Sequence, residues 1–230
     1  MSSSATTSLL EPSEPIRRPW DWWRDRIIFL AGFAFLAIMA GEFKQQLADA
    51  DSPRCFLIAG RHMLAGEAIH RPTETYSYPP ASAFLMLPLC RLPQGPMLGI
   101  WYALNAVAMA VLFRSAWQLA GGPAFVGMST RWHGVFWLGA VLLAGRFLLA
   151  PLENLQTDLM MAGLVTCGCC RIWERHELSG GLLIGTAAAM KCTPLLFIPY
   201  LLLRRNWIGA GALVAAAIFW NFIPDLVFPQ

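Results

Sequence analysis

Apolar residues in this chain come in blocks about as long as a bilayer is thick, separated by short polar or charged breaks. A helix needs roughly 20 apolar residues to cross a hydrocarbon core. Of the 230 residues, 57% are hydrophobic and only 13% are charged. A soluble domain carries about 25% charged residues. That deficit, with a mean hydropathy of +0.50, excludes a soluble enzyme, a disordered regulator and a disulfide-stapled secreted module. The chain reads as all-α: a polytopic transmembrane helical bundle of about six hydrophobic segments.

The placement of charge says more than its sum. A net charge of +3 gives no composition signal for nucleic acid, and no nucleic-acid partner is expected. Arg17, Arg18, Arg24 and Arg26 precede the first apolar run. Lys/Arg excess in short segments marks the cytoplasmic side, so the N-terminus is expected inside. Trp20, Trp22 and Trp23 beside them read as an interfacial anchor. The localisation that follows is an integral, multi-pass protein of a bacterial plasma membrane. Of the six cysteines, only Cys55 falls in an expected outer loop, which argues against a disulfide framework. Cys167-Gly168-Cys169-Cys170 lacks zinc spacing and reads as small apolar packing, so no metal is assigned.

Along the chain, residues 1–26 read as a disordered cytoplasmic tail, Ser/Thr/Glu/Pro-rich as far as Pro19. Residues 27–230 form one transmembrane domain, expected to be incomplete at its C-terminus. Ile27 to Phe43 is the first span. Ala48-Asp49-Ala50 has the form of a signal-peptidase site, but Glu42 and Lys44 stand between it and the apolar run, so a retained signal anchor is preferred. Lys44 to Tyr78 is a polar outer loop. Within it Cys55 to Ala68 has helical apolar spacing (Phe56, Ala59, Met63, Leu64), which predicts an amphipathic surface helix. Ala81 to Leu92 is a short apolar segment, tilted or re-entrant. Met97 to Leu119 is a clear span with Arg114 placed to snorkel. Val135 to Leu152 is apolar, Glu153 to Asp158 is a polar break, and Leu159 to Trp173 follows. Gly180 to Leu203 is interrupted at Lys191-Cys192-Thr193-Pro194, and Trp207 to Phe228 is the last span. Five full crossings would put Arg171 to Arg175 outside, against the positive-inside tendency. Either Val135 to Leu152 or Ala81 to Leu92 is therefore expected not to cross fully.

Three constellations can carry chemistry, because a polar residue at membrane depth is costly and functional by default. Asp49 and Asp51 follow the first span, and a carboxylate at the membrane face can act as general base toward a hydroxyl; ordinary solvated loop charges look the same. Glu153, Asn154, Gln156 and Asp158 can hydrogen-bond a sugar or phosphate from a break lining a wet cavity, or belong to a plain interhelical loop. Lys191 can meet a phosphate as a point charge, or snorkel at a helix end.

The order of features narrows this further. After the acidic pair come Ala59-Gly60-Arg61-His62-Met63-Leu64-Ala65-Gly66, then Tyr76-Ser77-Tyr78-Pro79-Pro80, then Trp101 with Asn105. The Asn154/Gln156 break follows, and then Gly180-Gly181-Leu182-Leu183-Ile184-Gly185 leading to Lys191-Cys192-Thr193-Pro194-Leu195-Leu196-Phe197. This series, from about Asp49 to Trp207, resembles glycosyltransferase family 87, membrane enzymes of the GT-C type. The chain would correspond to the N-terminal half to two-thirds of a family member. Two stretches depart from the family pattern: Leu155-Gln156-Thr157-Asp158 stands where Gly-Gln-x-Asn is usual, and Phe56 alone replaces an aromatic pair.

The resemblance implies a GT-C-like fold and transfer of a hexose, typically mannose, from a polyprenyl-phosphate sugar to a lipid-linked or polymeric acceptor outside the cytoplasm. Transfer would invert the anomeric centre and use no nucleotide sugar; no metal ligand and no cofactor is assigned. It implies Asp51 as base with Asp49 in reserve, Tyr78, Asn154 and Gln156 lining the sugar and phosphate site, and Lys191 neutralising phosphate. Membrane lipids would surround the chain, and a partner would supply missing spans. Two other readings stay open from the residues: a transporter or lipid-carrier protein, because broken apolar segments also build transport sites, and a catalytically inactive truncated subunit.

Overall fold

The computed structural model describes residues 52–70, 76–121 and 156–228, with scattered positions between 139 and 152. The expected tail, the first span, Asp49, Asp51 and Asn154 lie outside the described residues. Among the described residues every regular element is helical: α1 (Ser52–Leu64), α2 (Pro80–Cys90), α3 (Gln94–Leu119), α4 (Asp158–Trp173), α5 (Glu177–Met190), a 3-10 turn (Thr193–Leu196), α6 (Phe197–Leu203) and α7 (Trp207–Val227).

Proline and asparagine set where these helices start. Pro79-Pro80 and Pro93 open α2 and α3, because a fixed φ and a missing N–H suit a first turn. Asn206 caps α7 through its side-chain oxygen, which accepts from the Gly209 N–H at 2.8 Å. Two helices end identically. The Arg175 N–H donates to the Ile172 carbonyl and the His176 N–H to Arg171. The Arg205 N–H donates to Leu202 and the Asn206 N–H to Leu201. Both are Schellman ends, and both place an arginine, not glycine, in the left-handed region, at φ 66° and 57°.

Close backbone contacts fix the packing. Gly163 of α4 lies against the Ala108 carbonyl of α3, and the Cys170 thiol donates to the Ser115 carbonyl at 3.2 Å. Advancing seven residues on one helix advances seven on the other, so α3 and α4 run parallel. Gly168 and Gly180 face each other's carbonyls, and each meets an isoleucine beside the other (Ile184 and Ile172), so α4 and α5 are antiparallel. Gly181 meets Gly209 and Ala212 while Gly185 meets Leu213 and Ala216, so α5 and α7 are again parallel. The arginine-bearing turns after α4 and α6 therefore lie at one end of the bundle. The start of α4 and the finish of α5 lie at the other.

α3 and α7 are long and apolar enough to cross a membrane. Unlike the core helices of soluble proteins they stay uncovered along much of their length. Val107 is 57% exposed, and Phe222 62%. In the registers above, both overshoot the α4–α5 ends by about 12 Å at 1.5 Å per residue. α2 fills that recess, packing on α7 and α5, and α1 packs on α2. The amphipathic helix expected over Cys55 to Ala68 is α1, and its apolar face is covered: Phe56, Ala59 and Met63 join Ala83, Met86, Met97 and Trp101 in one cluster.

The interrupted segment resolves into α5, a break and α6. α3 ends at the arginine end and the parallel α4 starts at the opposite end. The expected segment Val135 to Leu152 lies mostly outside the described residues, and Ala81 to Leu92 is observed as the eleven-residue α2.

Candidate active site

The geometry of the recess follows from one proline. In a helix the Met190 carbonyl would accept from the N–H four residues on, but that position is Pro194, which has none. Helix α5 ends there, with Lys191 extended at φ −152°, ψ 126°. The freed Met190 carbonyl accepts instead from the Ser82 hydroxyl of α2 at 2.6 Å, with Ser82 wholly buried. A polar atom thus bolts α2 to the break.

Lys191 then turns toward α4. Its Nζ lies 2.7 Å from Asp158 Oδ1, a short ion pair across the open end of the α4–α5 hairpin. Asp158 opens α4 and Lys191 closes α5, so each charge complements its own helix dipole as well as its partner. Both side chains keep partial access, 37% and 28%. An ammonium has three donors, and one is used here, which leaves two to meet a ligand oxygen.

Tyr78, just ahead of α2, packs on Phe56 with ring centroids 4.6 Å apart and stands 6.0 Å from Tyr76. The Tyr76 hydroxyl donates to the Pro79 carbonyl at 2.9 Å. These rings hold α1 against the entry to α2. Gln156, half-buried, has its N–H on the Pro151 carbonyl at 2.8 Å, which closes the turn into α4. The structure therefore brings Lys191, Gln156 and Tyr78 to the same end of the bundle.

Asp158 is read in the sequence as part of the polar break that can hydrogen-bond a sugar or phosphate, but its pairing with Lys191, 33 residues away, has no local signature. Two further residues carry no assigned role in the sequence. Ser82 carries no signal beyond its place after Tyr78-Pro79-Pro80. Thr157 is 1% exposed, with its hydroxyl oxygen unpaired.

No curated protein and no solved structure matches the chain. The family model for Glycosyltransferase family 87 matches residues 76–230. The motif resemblance covers about Asp49 to Trp207, so this match starts later, leaving α1 outside, and extends through α7. It takes in the Tyr76-to-Pro80 stretch, α3, the polar break and the whole α4-to-α7 assembly around the Lys191–Asp158 pair. Spanning about two-thirds of the sequence, it makes this chain a member of glycosyltransferase family 87, a membrane glycosyltransferase.

Proposed function

We propose that the chain moves a hexose, mannose, from a polyprenyl-phosphate donor to a lipid-linked or polymeric acceptor on the outer face of a bacterial plasma membrane, in a GT-C-like arrangement. The observation that supports this most is the Lys191–Asp158 pair, set back about 12 Å from the ends of the two spanning helices. A lipid-borne phosphate enters from the side at that depth, and a partly accessible ammonium there can take one of its oxygens. The arginine turns after α4 and α6 mark the opposite end, which the positive-inside tendency places in the cytoplasm. On this reading the protein is multi-pass, its N-terminus is cytoplasmic, and the pair faces the outer leaflet.

In the reaction the acceptor hydroxyl attacks the anomeric carbon, and the bond from that carbon to the phosphate oxygen breaks. The bonding electrons leave with polyprenyl phosphate, whose charge Lys191 meets. The acceptor proton passes to Asp51, with Asp49 in reserve, and the configuration inverts. Asp51 directly precedes α1 in sequence, and α1 carries the Phe56 ring that packs on Tyr78 at the entry to α2. Asn154, Gln156 and Tyr78 orient the donor head group.

The test uses membranes holding this chain, labelled polyprenyl-phosphate mannose and total lipid acceptors, run beside Asp51→Asn. Label is expected in a new glycolipid with the unmutated chain and not with the variant. Full transfer by Asp51→Asn would overturn the base assignment. No transfer by the inserted wild-type chain would overturn the donor and sugar.

A further inference from the structure

The turn that joins α4 to α5 and the turn that joins α6 to α7 are neighbours. Gly181 of α5 lies against Gly209 and Ala212 of α7. Counting back six residues from Gly181 reaches Arg175, and counting back six from Gly209 and Ala212 reaches Leu203 and Asn206. Arg175 therefore stands level with Arg204 and Arg205 on the adjacent, parallel helix. All three arginines are exposed. Arg171, in the last turn of α4, pairs with Glu174 at 3.5 Å. Arg175, Arg204 and Arg205 pair with no carboxylate among the described residues. The other acid at this end, Glu177, lies in the first turn of α5, where it complements the helix dipole.

Neither turn needs arginine for its shape. Arg175 and Arg205 occupy the left-handed region, which glycine fits at least cost. Three like charges gathered without an internal counter-ion repel one another, and an external anion relieves that repulsion. The surroundings decide which anion. Trp173 closes α4, Leu203 closes α6 and Trp207 opens α7, and they are 79%, 84% and 66% exposed. Tryptophan is enriched where a helix meets the lipid headgroups, and α7 is long and apolar enough to run from there across a bilayer. A soluble anion would meet the guanidiniums and leave these apolar surfaces bare. A phospholipid supplies a phosphate, which accepts from guanidinium donors, together with acyl chains for the rings and Leu203. A zwitterionic headgroup also brings an ammonium that the arginines repel, so a net anionic lipid fits best.

We infer that these two turns form a binding surface for an anionic phospholipid, its phosphate held between Arg175 and the Arg204–Arg205 pair and its acyl chains against Leu203 and Trp207. The surface lies at the opposite end of the bundle from Lys191. It needs no particular donor or sugar, and its lipid is a structural partner of the α5–α7 assembly.

The experiment follows thermal unfolding of the purified full chain in a non-ionic detergent while phosphatidylglycerol, phosphatidylcholine or inorganic phosphate is added. Phosphatidylglycerol is expected to raise the wild-type melting temperature saturably, and the other two to leave it unchanged. Arg175→Gln and Arg205→Gln keep a Cβ and remove the charge. Each is expected to weaken the apparent affinity for phosphatidylglycerol about fivefold, and Arg175→Gln/Arg204→Gln/Arg205→Gln to abolish the shift. Arg91→Gln, at the end of α2, and Lys191→Met/Asp158→Asn, at the ion pair, are expected to keep it. No shift of the wild-type chain by phosphatidylglycerol would overturn the inference, as would an equal shift by phosphatidylcholine, which carries no net charge. An equal shift by inorganic phosphate would make the turns a soluble-anion site and overturn the lipid. A shift that survives the triple variant, or that vanishes in Lys191→Met/Asp158→Asn, would put the lipid elsewhere and overturn the surface.

Discussion

At Arg175 and Arg205 the chain accepts a backbone cost that glycine would remove. Both occupy the left-handed region at a helix end, where a side chain crowds the following carbonyl by roughly 1–2 kcal/mol. Arg175→Gly or Arg205→Gly is expected to raise thermal stability in detergent by about 0.5–1 kcal/mol, after the extra unfolded-chain entropy of glycine. Arg175→Ala, which keeps a Cβ, should gain nothing. Equal melting of all three with wild type would mean that the turns relax without strain. The Lys191–Asp158 pair gives a different residue-scale expectation. Lys191→Met strands a carboxylate at the start of α4, whereas Lys191→Met/Asp158→Asn strands nothing, so the double variant should be the more stable of the two. The charge-swapped variant, Asp158→Lys/Lys191→Asp, should recover only part of the stability, because each charge then opposes its helix dipole, and it should not recover transfer, because the cation then sits on the other helix. Transfer restored by the swap would make the pair a structural strut.

At the scale of elements, the glycines of α5 form a seam against α7. A Cβ on Gly185 would meet the Leu213 carbonyl and Ala216, whereas Gly211, on α7, has open space around it. Small residues let helix backbones approach closely where lipid provides no hydrophobic drive. Gly185→Ala should therefore destabilise by about 1–3 kcal/mol through overpacking. Gly211→Ala should stabilise by about 0.5–1 kcal/mol through helix propensity alone. Denaturation of both in the same detergent checks the pair, and matching losses would refute the seam. Helix boundaries were legible because apolar blocks and breakers are local signals: Trp207 to Phe228 is observed as Trp207–Val227, and Pro194 interrupts the run where its missing N–H requires. Neighbours were not legible. Nothing local announces that Gly181 lies on Gly209, that Lys191 reaches Asp158, or that Ser82 reaches Met190 from 108 residues away.

For the whole molecule, the registers divide the bundle into two unlike ends. One carries Arg171 in the last turn of α4, Arg175 on the turn joining α4 to α5, and Arg204 and Arg205 on the turn joining α6 to α7. The other carries the ion pair, the break after Met190 and the α1–α2 cap bolted there by Ser82. Arginines at a membrane face resist translocation, and a site for a lipid-borne phosphate must open to the leaflet that holds the donor. On the proposed function, charge and site therefore predict one orientation together, although the two sets lie at opposite ends. This can be checked in a chain whose own cysteines are replaced by alanine. Arg205→Cys, on the turn ahead of α7, and Ala68→Cys, exposed on the connection between α1 and α2, report the two ends. An impermeant maleimide applied to intact cells should label Ala68→Cys at once and Arg205→Cys only after the membrane is opened. The reverse pattern would put the ion pair on the cytoplasmic side and require a donor in the inner leaflet. Labelling of both in intact cells would mean that α7 does not span the bilayer.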